Sequence, residues 1–246
     1  MNNSNALPPA TIIINFHREG VYAHKTLLGF LRIREYSASF GNRVDLICVL
    51  DNGDALTRQI VTNFLKDHGT KYDQMIETSY ASLSAARNVG IDFTKTEYVG
   101  FNDGDDFFSA NRVEEMLKAQ LASKSPLLCF PEKIISFGIK SESYNIPFSQ
   151  NISKAQMINI HYWTYASFSQ TDLYKAIPFN ELVGKNTKLA YEDWDFNLRC
   201  IENGAKLAPI KDTYFFYRRS KYSMLIEHNA FQSFTPAFDF FNNIHL

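Results

Sequence analysis

The fold is decided by the stretch Glu97-Tyr98-Val99-Gly100-Phe101-Asn102-Asp103-Gly104-Asp105-Asp106. It begins as a short apolar run, Glu97 to Phe101, of the kind that forms a strand buried on both faces. It then sets three acidic residues within four positions. Packing alone does not put them there, because carboxylates this close repel one another and are tolerable only if solvated or neutralised by a cation. In an open parallel sheet the carboxyl ends of the strands are where ligands bind. The stretch therefore reads as a buried strand that delivers hard oxygen donors to a ligand, with Gly104 permitting a close backbone approach.

Two further runs of the same kind precede it, Thr11 to Phe16 and Val44 to Leu50. Helical patterns lie between them: Leu27, Leu28 and Leu31 share a face, as do Leu56, Ile60 and Phe64, and Ser84 to Phe93 makes a short helix. Strand and helix in alternation predict an α/β fold with parallel strands joined by right-handed crossovers. A helix from about Asn111 to Ser123 follows, capped by Ser109, with Val113, Met116, Leu117 and Leu121 inward. Beyond it the pattern is less regular. Leu127 to Phe130 and Lys133 to Phe137 read as strands split by Pro131, and Lys140 to Lys154 as a loop or flap. Tyr191 to Asn203 is a helix carrying Trp194, Leu198 and Ile201, stopped by Gly204. The organisation expected is one domain over residues 1–246 with two subregions.

Composition narrows the function classes. With 246 residues and 45% hydrophobic content the chain can fill a core without cross-links. Lys plus Arg number 25 against 26 Asp plus Glu, a net charge of -1, which supplies no excess to attract a phosphate backbone; a nucleic-acid partner is excluded on that ground. Cys48, Cys129 and Cys200 sit among apolar neighbours and read as core thiols of a reducing compartment. The first nine residues hold no apolar signal core, and no run of roughly 18 apolar residues occurs, so a cytoplasmic location is expected. Most of the 21 Phe and 13 Tyr belong in the core, leaving a minority to stack on a ring-shaped ligand.

Each acidic motif has a plainer explanation beside the functional one. Asp103 to Asp106 could simply favour a helix start. An EF-hand fails on spacing, since Phe107 and Phe108 fall where a ligand and the required Gly belong. Asp51-Asn52-Gly53-Asp54 repeats the strand-end logic and lets Asp51 accept hydrogen bonds from a base or ribose. Phe16-His17-Arg18-Glu19 would give the same cleft an aromatic face and, in Arg18, a cation. Glu192-Asp193 suits the helix dipole, yet a carboxylate at a cleft mouth can also take a proton from an attacking hydroxyl.

From Thr11 to Met224 the chain resembles the GT-A glycosyltransferases of family 2, inverting enzymes that use nucleotide-diphospho-sugars. Three blocks carry the resemblance: Ser82-Leu83-Ser84-Ala85-Ala86-Arg87-Asn88-Val89-Gly90-Ile91, the Thr96 to Asp106 strand end as a D-x-D motif, and Tyr191-Glu192-Asp193-Trp194-Asp195-Phe196-Asn197-Leu198-Arg199. It implies a Rossmann-like, mainly parallel sheet flanked by helices. Residues 1–110 or so would form the nucleotide-binding half, and about 111–246 a smaller acceptor-side subregion. Phe16 would lie against a uracil-type base, Asp51 on its polar edge and Asp103 by the ribose. Arg87 and Asn88 would wall the nucleotide pocket. Asp105, with Asp103, would hold Mn2+ or Mg2+ on the diphosphate, and Asp193 would be the catalytic base. His17 replaces a commoner Asn, and Ser220 stands where relatives often carry a metal-binding His, so Arg218 or Arg219 is expected on the diphosphate.

The partners implied are a nucleotide-diphospho-sugar donor, a UDP-sugar above all, and a glycan or glycolipid acceptor of bacterial surface polysaccharide assembly. The work would be done in the cytoplasm, with a peripheral place at the inner membrane face compatible but marked by no basic amphipathic helix. Three rivals remain: a metal-dependent nucleotidyltransferase, an inactive nucleotide-sugar-binding module, and a cation-dependent scaffold. The first would show a Gly-rich basic phosphate loop, which Asn15 to Gly20 lacks.

Overall fold

The computed structural model describes residues 7–181 and 190–221. The N-terminal half alternates as the periodicity requires. Strand β1 (Ala10–Phe16) leads to α1 (Val21–Ser39), β2 (Val44–Asp51) to α2 (Ala55–His68), and β3 (Gln74–Thr78) to α3 (Leu83–Phe93), before β4 (Tyr98–Asp103). Every residue of β1 and β2 is buried, which is why they read as unbroken apolar runs. Local chemistry starts the helices: the Asp54 carboxylate accepts from Thr57 N–H, and the Ser82 hydroxyl accepts from Ala85 N–H.

The chain continues through β5 (Phe107–Phe108), α4 (Arg112–Ala122), β6 (Leu127–Gly138), β7 (Glu142–Asn145) and a 3-10 turn at Ser149–Asn151. It then runs through α5 (Lys154–Asn159), β8 (Phe168–Gln170), α6 (Thr171–Ala176), α7 (Glu192–Glu202) and β9 (Lys206–Arg219). The strands form one sheet in the order β3-β2-β1-β4-β8-β6-β9-β5, with β7 on β6. Pairs β3/β2, β2/β1, β1/β4 and β6/β9 are parallel, whereas β8 runs antiparallel to β4 and β6. The result is the α/β, mainly parallel sheet that the alternation predicts.

The structure departs from the sequence reading at several points. Pro131 does not split two strands: β6 is continuous and absorbs it as a register shift against β9 between Pro131 and Lys133. The expected flap contributes β7 as a hairpin partner of β6. Ser109 does not cap α4, since its hydroxyl accepts from Tyr214 N–H and so ties the helix start to β9. Leu28, Leu56 and Leu121 are exposed; the inward face of α1 is Ala23, Thr26, Leu27, Phe30, Ile33 and Ser37. All three cysteines are buried and free, as expected.

Two contacts hold the sheet where the site needs it. Arg112, completely buried, donates to the carbonyls of Phe101, Ala166 and Ser167 (3.1–3.3 Å) and so ties the end of β4 to the segment entering β8. Gly90 lets α3 sit on β1, because a Cβ there would lie 2.7 Å from Ile13 Cγ2. Gly90→Val should therefore lower stability by about 2 kcal/mol in urea unfolding, overpacking of roughly 1–3 kcal/mol outweighing a helix-propensity gain below about 0.5 kcal/mol. A variant as stable as the native chain would contradict this packing.

Candidate active site

Sheet register brings the motif ends together. Asn15 pairs with Asp103 and Phe16 with Leu50, so the segments after β1, β2 and β4 leave the same edge side by side. Gly104 is required by its neighbours: a Cβ would lie 2.5 Å from Phe16 Cδ1 and 3.0 Å from both the Asn15 carbonyl oxygen and Glu19 Cδ. The close approach is thus to the chain's own β1 end, and it presses Glu19 against the acidic turn.

That crowding shows in the protonation chemistry. Burial pushes Asp103 up to about 7, Asp105 and Glu192 push the same way, and Arg87 opposes them. Glu19 is likewise raised to about 7 by burial, against the His17 N–H that it accepts at 2.7 Å, with Asp105 and Asp103 adding repulsion. Asp106 has a structural task. It accepts from the Tyr165 hydroxyl (2.6 Å) and from Arg218 N–H (2.7 Å), while Tyr165 Oη accepts from Asp103 N–H (3.0 Å). The turn is thereby tied to the end of β9, and Arg218 donates to Asp105 from Nε (2.8 Å) and Nη2.

The oxygen donors of Asp103 and Asp105 suit a hard divalent ion. Among the described residues no group of three His, Cys, Asp or Glu is placed to hold a metal. Two carboxylates nevertheless fit an ion of the Mg2+ type, which completes its shell with substrate phosphate and water rather than with protein alone. The crowded carboxyls at about 7 are the feature that a cation would relieve. Arg218 already places one positive charge on Asp105, so an arriving ion must share that carboxylate with it.

The start of α7 joins this edge through one buried cation. Arg87, 1% exposed, donates from Nη1 to Glu192 (2.8 Å) and from Nη2 to Asp103 (3.3 Å), with its guanidinium against the rings of Tyr165 and Phe179. Burial disfavours its charge, yet Asp103, Glu192 and Asp193 outweigh that and keep it protonated. Tyr191 enters α7 in the left-handed region (φ 62°), an unusual setting for a bulky residue. In the first turn Asp195 is committed to Arg199 and Asn180. Asp193 has one oxygen on Trp194 N–H (2.9 Å), and burial with Glu192 raises it to about 7 against the pull of Arg87.

The remaining expected residues fall out differently. Asp51 faces the loop after β3: Oδ1 accepts from Thr78 Oγ1 and Tyr80 N–H, Oδ2 from Ser82 N–H, which leaves acceptor capacity chiefly on Oδ2. Phe16 is 2% exposed and forms the floor beneath Gly104, so the expectation of an open base-stacking face there is corrected. The ring on the rim is His17, whose Nδ1 donates to the Asp51 carbonyl (2.6 Å). The Asn88 side-chain amide makes two bonds to the Phe179 backbone (2.8 and 2.9 Å) and so positions that segment. Arg18 is exposed in the loop after β1. Arg219 is paired with Glu142 of β7 (3.0 Å), away from Asp105, while Arg218 lies against the Tyr22 ring. Tyr222, Ser223 and Met224 of the last motif lie outside the described residues. Glu19, Tyr165 and His161 were not singled out from sequence, because each acquires its role only through residues distant in the chain.

Residues 11–127 match the model of the glycosyltransferase like family 2. The chain is 24% identical, over 84% of its length and 61% of the relative's, to poly(ribitol-phosphate) beta-N-acetylglucosaminyltransferase TarP of Staphylococcus aureus. Its fold superposes on TarS of S. aureus in complex with UDP-GlcNAc with a TM-score of 0.63 at 17% identity, covering 87% of this chain and 60% of that one. The mannosyltransferase PcManGT from Pyrobaculum calidifontis, in complex with GDP-Man and Mn2+, gives 0.60 at 13% identity, covering 91% and 64%. The fold is therefore GT-A, and the chain spans about three fifths of the length of TarP and of TarS 1–349, and 37% of the longer TarS chain.

This acidic edge should have a measurable pH signature. Glu19, raised above its unfolded value near 4.5, holds its proton more tightly when folded, so the stability it contributes is full below that value and is lost as pH rises through about 7. Glu19→Gln should raise the melting temperature by roughly 2–4 °C at pH 8, the effect of about 1 kcal/mol in a domain of this size, and leave it nearly unchanged at pH 4.5. A gain at the lower pH alone would reverse the assignment.

Proposed function

We propose that the chain is an inverting glycosyltransferase that moves a sugar from a UDP-sugar to a hydroxyl acceptor, with UDP-GlcNAc as donor and a polyol-phosphate polymer or other surface glycan as acceptor. The observation that carries this is Arg87, which pairs at once with Asp103 of the donor-side strand end and with Glu192 beside Asp193. This shared pairing supports a reading in which the donor-side carboxylates and the proposed base act on one bound sugar. The donor and acceptor chemistry follows the molecules named for TarS and TarP.

In this reading the base lies on the His17 rim, its polar edge reaches the remaining acceptor capacity of Asp51, and Arg18 lies at the mouth. Asp105 and Asp103 would hold Mn2+ or Mg2+, whose chemistry is to neutralise the charge that gathers on the departing diphosphate. Arg218, already at Asp105, supplies a second positive charge beside that leaving group. Asp193 takes the proton of the acceptor hydroxyl as its oxygen attacks the anomeric carbon from the face opposite the diphosphate, which inverts that centre. One carboxylate suffices because the diphosphate leaves without a proton, unlike glycoside hydrolysis with its paired carboxyls. A group raised to about 7 is matched to accepting a proton near neutrality.

A nucleotidyltransferase is disfavoured because the loop after β1 presses a carboxylate, Glu19, toward the acidic turn where basic phosphate ligands would be needed. A sugar-binding module without turnover differs from this proposal in one assay. No helix among the described residues is long and apolar enough to cross a membrane. A place on the cytoplasmic side, where the chain meets both donor and growing acceptor, belongs to the same proposal.

Asp193→Asn should lower transfer at least about a hundredfold while UDP affinity stays within about twofold. In the native chain kcat/KM should rise with pH through about 7 as Asp193 loses its proton. Excess EDTA should abolish transfer. Steady-state kinetics and calorimetry with UDP test all three, and equal loss of binding and turnover in the variant would remove Asp193 from the role of base.

A further inference from the structure

We propose that His161 is a second contact to the acceptor's nucleophilic oxygen, donating a hydrogen bond from Nε2–H while Asp193 Oδ2 takes the proton. The inference rests on the sugar-transfer reading and adds a selecting residue to it. His161 Nε2 is buried and, among the described residues, has no hydrogen-bond partner. It faces Asp193 Oδ2 across 3.8 Å, too far for a direct bond. The other Asp193 oxygen is occupied by Trp194 N–H, so the atom that His161 faces is the one left for chemistry.

The imidazole is held in place rather than free to turn away. It stacks on the Trp194 ring at 5.2 Å between centroids and 6° between planes. Trp194 is anchored in turn by its indole N–H to the Met157 carbonyl of α5 (3.0 Å). Burial drives the His161 pKa down to about 3, so the ring is neutral at working pH and offers one N–H without a charge. By distance alone, an acceptor oxygen about 2.8 Å from both atoms would bridge the 3.8 Å separation, entering where Nε2 is now shielded from solvent.

This pair discriminates by lone-pair count. A hydroxyl oxygen has two lone pairs: one accepts from His161 and the other attacks, while the O–H proton passes to Asp193. The new bond joins that oxygen to the anomeric carbon, the anomeric bond to the diphosphate breaks with its electron pair leaving on the diphosphate, and His161 keeps its proton. A neutral amine has a single lone pair, which cannot both accept from His161 and attack. The geometry therefore selects alcohols over amines.

The test uses the full chain with UDP-GlcNAc, Mn2+ and poly(ribitol phosphate), following UDP release. His161→Phe preserves the stack on Trp194 and deletes the donor; His161→Gln keeps a donor near the Nε2 position. The Phe variant should lose about tenfold in kcat/KM for the acceptor, the order of one hydrogen bond, with an undiminished melting temperature and unchanged UDP affinity by calorimetry. The Gln variant should recover most of that loss. A purely structural ring would give the opposite order, so full activity in the Phe variant, or a Gln variant as impaired as Phe, overturns the role of His161. Absence of UDP release from the native chain overturns the transfer reading itself, and this inference with it.

Discussion

Most of the site depends on one buried ion pair network. Arg87 has almost no contact with solvent, and taking a guanidinium out of water costs several kcal/mol. Asp103 and Glu192 offset that cost from two directions, with the rings of Tyr165 and Phe179 packed against the cation. Loss of either carboxylate would leave a partly uncompensated charge in the interior, a defect of about 3–5 kcal/mol. The network therefore does more than stabilise. It ties the end of β4 to the start of α7, two elements far apart in sequence, through a single guanidinium.

The same crowding makes the crevice electrostatically unfinished. Glu19, Asp103 and Asp193 are all pushed to about 7, chiefly by burial and also by the acids beside them. Near neutral pH these groups sit at the edge of ionisation, and Arg87 and Arg218 balance only part of the negative charge. A cation added at Asp105 would relieve that repulsion, and under the proposed mechanism Asp193, raised to about 7, would accept the proton. Gly104 contributes to both properties, because the absent Cβ is what lets the acidic turn close on Phe16 and Glu19.

The legible part of the fold was the part whose burial is uniform. Strands β1, β2 and β4 are buried along most of their length and announce themselves as apolar runs. Strand β3 is half exposed and β8 is three residues long, so neither carries a periodic signal. Strand β9 was hidden by Pro209 and by a kink at Asp212, whose φ is +58°. In the site, the acidic motifs and Arg87 were visible as residue types, since carboxylates ending an apolar strand need an explanation. Their division of labour was not. Asp106, the third acid of the turn, is spent on Tyr165 and Arg218; Asn88 is spent on the Phe179 backbone; and Phe16 lies under the turn where His17 occupies the rim. Each of these turns on a contact across 59 or more residues or on which way a side chain leaves the strand, and a linear pattern contains neither.

The central claim is that one crevice holds the donor against Asp103 and Asp105 and presents its anomeric carbon to Asp193. A crystal structure of the chain with UDP-GlcNAc and Mn2+ measures this directly. The account predicts density for the ion between Asp105 and the diphosphate, the uracil beside His17 and Asp51, and the sugar on the Asp193 side of Arg87. Nucleotide bound at another edge of the sheet, or a sugar turned away from Asp193 with Arg87 unpaired, would contradict it.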